Sequence, residues 1–192
     1  MVKIIVEPVP EIYACCESLI TAEDIASAVR FQNERRRREH LAWRRIVRGE
    51  LGIHTSISYN EVGAPIVDRP NCFISVAHGA GMVAVAIADE RVGIDIECQE
   101  RDFESAKARF MSCRELGLCD KAQFAGYVWC AKEAMYKLYG RRGIDLSNDL
   151  QIRSFDPKSE TMRGLLLGEP EAHIEILHYD NNIVAVATFT KE

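Results

Sequence analysis

The sequence predicts an α+β fold of two similar α/β lobes related by a pseudo-twofold, each a small, mainly antiparallel sheet packed with one long helix. Three observations predict it. HGAGMVAVAI from His78 is echoed by HYDNNIVAVATF from His178, each a histidine ahead of a turn and a V-A-V-A strand. The order strand, helix, strands appears in both halves. Strand-like runs also follow one another across tight connections, as antiparallel neighbours do. The lobes are expected at residues 1–98 and 99–192.

Taken in order, Val2 to Glu7 reads as a first strand. Ala22 to Leu51 reads as mostly helical, in two pieces parted near Phe31 to Asn33, with Leu41, Ile46 and Val47 a broken apolar stripe. Residues 52–72 are looser, because Gly52, Gly63, Pro65 and Pro70 interrupt any period. CFISVA, MVAVAIAD and RVGIDIE then read as three consecutive antiparallel strands. Residues 102–118 turn helical again. The best-defined helix runs from Asp120 to Tyr139, where Asp120 can cap it and Gln123 sits at the partner position of a capping box. Phe124, Val128, Ala131, Met135 and Leu138 form its core stripe, and Gly140 is its stop. Leu150 to Ser154, His173 to His178 and Ile183 to Thr190 read as strands.

With 192 residues, 47% hydrophobic and 28% charged, the chain can bury a sizeable core and is not disordered. A net charge of -5 argues against nucleic acid as a partner, although seven arginines crowd between Arg35 and Arg48. No run approaches the ~18 apolar residues of a membrane span, and Glu7, Pro8 and Pro10 interrupt what a secretory signal would need apolar. The cysteines, Cys15, Cys16, Cys72, Cys98, Cys113, Cys119 and Cys130, are odd in number and form no C-x-x-C. Reduced core thiols and a cytoplasmic location are the expectation.

The stretch VGIDIE carries the chemistry. Val92, Ile94 and Ile96 alternate with Gly93, Asp95 and Glu97, so both carboxylates leave one side of a strand. Their backbones lie roughly 6.6 Å apart, close enough to share an ion, and oxygen ligands favour Mg²⁺. The competing reading is a solvated outer face. On the long helix, Trp129, Glu133 and Lys137 recur at i, i+4 and i+8 opposite the core stripe. They read either as an exposed ion pair with a stray tryptophan or as a third carboxylate and an amine aimed at another lobe or a ligand.

VGIDIE followed about thirty residues later by WCAKEAMYK resembles the Sfp-type 4′-phosphopantetheinyl transferases, whose signatures are G-[IV]-D-[ILV]-E on a strand and W-x-x-K-E-x-x-x-K on a helix. The likeness extends to the arginine-rich RRREHLAWR, to GAP at 63–65 in place of Gly-Lys-Pro, to FISVAHG, and to RFMSCRE ending in Glu115. The length suits the two-lobed monomer of that family rather than its shorter, trimeric relatives. The resemblance implies an active site in the cleft between the lobes. There the phosphopantetheine arm of coenzyme A moves onto a serine of an apo acyl or peptidyl carrier protein, releasing 3′,5′-ADP. It implies Mg²⁺, with Mn²⁺ as a substitute, held by Asp95, Glu97 and Glu133. Glu133, directly or through a water it orients at the metal, is the first candidate base and Glu115 the second. Lys137, and with it Lys132, would hold the diphosphate; a structural role for Lys132 is the alternative. His78 would take the 3′-phosphate, and Arg38 and Arg44 further phosphoryl groups, ahead of Arg36 and Arg37. Ala64 and Ala77 depart from the family's lysine and serine. The rival readings are a coenzyme A-binding module without catalysis and a Mg²⁺-dependent hydrolase of a nucleotide diphosphate.

Overall fold

The computed structural model describes residues 1–11 and 18–190, so Cys15 and Cys16 lie outside the described residues. The first half supplies β1 (Val2–Pro8), α1 (Ala22–Ala28), α2 (Glu34–Leu51), the short pair β2 (Ile57–Tyr59) and β3 (Pro65–Val67), then β4 (Phe73–Gly79), β5 (Met82–Ala88) and β6 (Val92–Cys98). A 3₁₀ turn at Glu104–Arg109 and a single turn α3 (Cys113–Leu116) lead to α4 (Phe124–Tyr139). Four strands close the chain: β7 (Leu150–Asp156), β8 (Thr161–Leu166), β9 (Ala172–Tyr179) and β10 (Asn182–Phe189). The result is α+β, with antiparallel sheets ordered β1-β5-β4, β6-β10-β9-β8-β7 and β2-β3.

Alternation along the strands builds the layers. Val83 and Val85 of β5 face α2, where they meet Ala42, Trp43, Ile46 and Val47. Ala84, Ala86 and Ala88 face the other way, against Val92, Ile94, Ile96, Val184 and Val186 of the second sheet. Small alanines let the two sheets approach closely. The opposite face of the second sheet packs on α4, with Ile183, Ala185 and Ala187 beside Val128, Ala131 and Met135. The molecule is therefore layered helix, sheet, sheet, helix.

Three sequence expectations change. First, β6 does not continue the β4-β5 ladder: it pairs along β10, from Val92 against Thr188 to Cys98 against Asn182. Its link to β4 is instead a side-chain bond, Ile94 N–H donating to Ser75 Oγ at 3.1 Å. Alternation tells which way side chains point, not which strand lies alongside, so a hairpin-like spacing was misleading. Second, α4 begins at Phe124 with Gln123 as an N-cap that makes no side-chain bond, not at Asp120. Its C-terminus is as expected, with Gly140 left-handed at φ 62°. Third, of the helical expectation for 102–118, only the 3₁₀ turn and α3 form, and Phe103, Phe110 and Met111 there are buried core residues. Strands β2, β3 and β8 are additions. Among the described residues, no helix is long and apolar enough to cross a membrane. The five described cysteines carry free thiols.

Candidate functional site

Strand β6 and helix α4 build the site together. With Val92, Ile94 and Ile96 turned into the inter-sheet core, Gly93, Asp95 and Glu97 must face α4. Gly93 is where the helix sits closest: a Cβ there would lie 1.9 Å from the Ala134 carbonyl oxygen and 2.7 Å from the Leu138 nitrogen. That glycine admits the helix backbone rather than leaving the acidic face open at this point. The close approach brings Trp129, Glu133 and Lys137 over the two carboxylates.

Each contact has a chemical consequence. Lys137 Nζ donates to Asp95 Oδ1 and to the Ile94 carbonyl, both at 2.8 Å, which leaves one N–H for another acceptor. Asp95 Oδ2 is buried and has no hydrogen-bond partner, a vacancy that costs about 1–3 kcal/mol unless something fills it. Glu97 Oε1 accepts from Trp129 Nε1 at 2.8 Å and from Arg101 at 2.5 Å. The Arg101 guanidinium is stacked on the rings of Trp129 and Phe103, 5.0 and 5.1 Å from their centres. Glu133 is half-buried between like charges. Burial, then Asp95, pushes its carboxyl above the ordinary range, and Lys137 pulls the other way.

Two neighbouring pockets that share Pro65 and Val76 form a groove from Lys137 toward α2. Lys137 lines a pocket of about 230 Å³ with Ala64, Pro65, Ser75, Val76, Gly140 and Arg141. Pro65 and Val76 also wall a pocket of about 270 Å³ that contains Arg36, Trp43, Tyr59 and His78. His78, on the α2 side of β4, meets Arg36 Nη1 at 2.9 Å. Burial lowers its pKa, with Glu39 opposing and the Arg36 and Lys137 charges adding to the fall, so His78 senses both ends of the groove.

The other expected residues lie elsewhere. Lys132 and Glu115 form a pair 2.8 Å apart, 0% and 1% exposed. Lys132 also donates to the Phe110 and Leu146 carbonyls, and Glu115 accepts from the Ser112 and Ile152 backbones. Neither has a free valence for substrate, which corrects Glu115 as a base and Lys132 as a phosphate ligand; they tie α4 to α3 and β7. Arg44 is 2% exposed and is bonded to Asp24, His40 and the Ile57 carbonyl, so it braces α1 against α2 instead of meeting a ligand. Arg38 holds the Glu11 carbonyl, with its Nε buried and unpartnered. Ala77 points into the inter-sheet core, while Ala64 lines the groove.

Glu39 and Arg101 gain weight that the sequence reading did not give them, and Arg36, ranked there behind Arg38 and Arg44, is the arginine found beside His78. Arg36 and Glu39 lie seven residues before Trp43 and Ile46, two turns up the same face of α2, and that phase was readable. Arg101 carried no periodic signal.

A family model for the 4′-phosphopantetheinyl transferase superfamily matches residues 91–187, just over half of the chain. The chain belongs to this superfamily. The match spans β6 and α4, the elements that carry Asp95, Glu97, Glu133 and Lys137. No curated protein matches the chain. Among the described residues, no three His, Cys, Asp or Glu side chains close around a common point as a ready metal shell. Arg101 and Trp129 hold Glu97, and Lys137 holds Asp95. The donor chemistry nonetheless fits a hard cation: oxygen ligands only, one of them a buried carboxylate oxygen without a partner.

Proposed function

We propose that the protein is an Sfp-type 4′-phosphopantetheinyl transferase, moving the phosphopantetheine arm of coenzyme A onto a serine of an apo acyl or peptidyl carrier protein. The observation that carries the reading is the unpartnered, buried Oδ2 of Asp95 beside the Lys137 ammonium, on the face of β6 that α4 covers with Glu133. A bound cation would supply the partner that this oxygen lacks.

Asp95, Glu97 and Glu133 would hold a Mg²⁺, which when bound supplies positive charge to the diphosphate. The chain's own residues do the rest. Glu133, directly or through a water it orients, takes the proton from the carrier's serine. The hydroxyl oxygen bonds to the pantetheine phosphorus, the bridging P–O bond breaks, and 3′,5′-ADP departs with that electron pair. Lys137 steadies the departing charge through its remaining N–H. His78 and Arg36 hold the 3′-phosphate in the pocket beside α2, and Tyr59, exposed there, offers ring surface for the base.

The reading includes two pseudo-twofold lobes, with the boundary moved from residue 98 to ahead of β6, because β6 takes the place in the second sheet that β1 takes in the first. Matching registers support it. β1-β5-β4 and β6-β10-β9 share order and direction, and Pro8 meets Met82 as Cys98 meets Asn182. His78 and His178 oppose Val83 and Ile183 at the same step from their turns. One chain would thus supply a complete, monomeric site.

The test is to mix the protein with coenzyme A, Mg²⁺ and an apo carrier protein and weigh the carrier. A gain of one phosphopantetheine arm is expected. Coenzyme A breakdown with no carrier gain would point to a hydrolase, and neither change to a binding module.

A further inference from the structure

We propose that Glu39 is a positioning residue that aims Arg36 and His78 at the 3′-phosphate of coenzyme A, an inference that rests on the coenzyme A reading above. Glu39 is a buried carboxylate, 1% exposed, in the second turn of α2. Arg35 Nε lies 2.7 Å from its Oε1, and Arg36 Nη1 and His78 Nδ1 lie 3.3 and 3.4 Å from its Oε2. Arg36 touches His78 in turn at 2.9 Å, so carboxylate, guanidinium and imidazole close a triangle at the mouth of the pocket lined by Tyr59 and Trp43.

Stability alone gives no reason for this arrangement. Both arginine side chains are more than half exposed, at 63% and 53%, and ion pairs that reach into solvent contribute little. Burying a carboxylate is costly, and an apolar residue would fill the space on α2 more cheaply. What the carboxylate provides is orientation. It fixes the fork of a long, flexible side chain and holds it against the imidazole before any ligand arrives, which lowers the ordering cost of binding. Two opposing effects follow from removing it. Loss of aim weakens the grip on a phosphate, whereas loss of a negative charge strengthens attraction to any anion. The geometry points to aim as the larger, because the phosphate must be met by two donors at once.

The experiment is calorimetric binding of coenzyme A and of 3′-dephospho-coenzyme A to the full chain and its variants. The wild-type protein is expected to prefer coenzyme A about tenfold, the worth of one charge-assisted contact pair. Glu39→Gln should lose most of that preference with dephospho-coenzyme A binding unchanged, and should add nothing in an Arg36→Ala background. Glu39→Asp keeps the buried charge, and so the fold, but withdraws the carboxylate by one methylene; it too should lose the preference. A preference that survives in Glu39→Asp, or coenzyme A binding that tightens in Glu39→Gln, would overturn the assignment. Wild-type protein that bound neither ligand would overturn the coenzyme A reading and this inference with it. Wild-type protein that bound both, beside variants with unaltered preference, would sink the role of Glu39 alone.

Discussion

Gly93 leaves room for the α4 backbone, and a side chain there has nowhere to go: the atoms it would meet, the Ala134 carbonyl and the Leu138 nitrogen, belong to a packed helix. Gly93→Ala is therefore expected to cost at least about 3 kcal/mol, at the upper end of overpacking penalties. A thermal melt of the variant checks it, and an unshifted transition would mean that α4 stands farther from β6 than described. At this scale the acidic residues were legible: alternation put Asp95 and Glu97 on one side, and helical phase put Glu133 and Lys137 together. Their environment was not legible. Sequence spacing carries no information on the Trp129 and Arg101 contacts to Glu97, because these arise from which strand the helix crosses.

Helix α4 serves two purposes along one length. Lys137 reaches the strand bearing Asp95, while Lys132, about one and a half turns earlier and on another side, is locked to Glu115. Removing one member of a fully buried ion pair leaves the other charged and dry, at a cost of about 3–5 kcal/mol. Lys132→Met should thus lower stability by that amount in a denaturant titration, and a loss below about 1 kcal/mol would contradict the burial argument. The two lysines look alike within the motif W-x-x-K-E-x-x-x-K; their angles about the helix axis separate them. Elements with a strong period were readable, as in the buried stripe Phe124, Val128, Ala131, Met135 and Leu138. Strand β8, with Gly164 and a charged Arg163 in a six-residue run, had too little pattern to stand out. The Arg44 and Arg48 network depends on Asp24 of a short helix, which no local signal could pair with them.

Across the whole molecule, two helix-backed sheets share a core of alanines and branched residues, and the groove crosses from one helix to the other. The α+β class and the antiparallel habit could be read from alternation and turns, but the pairing of β6 with β10, more than eighty residues apart, is a long-range choice that no window of sequence contains. Global stability should carry a pH signature from His40. Burial, joined by the Arg44 charge and opposed by Asp24, pushes its pKa from 6.5 down to about 4. The unfolded chain then binds the proton more readily, so stability is full above 6.5, falls as the pH drops, and is wholly forfeited below about 4, by up to about 3 kcal/mol. Melting temperatures at neutral pH and near pH 4.5 should separate more for the wild type than for His40→Gln; equal separations would mean that His40 titrates normally. The central claim is that the β6–α4 cluster performs the transfer, and Asp95→Ala tests it most directly. After incubation with coenzyme A, Mg²⁺ and wild-type protein, the intact mass of an apo carrier should rise by one phosphopantetheine arm. The folded Asp95→Ala variant should leave the mass unchanged, and a carrier modified equally by both would contradict the account.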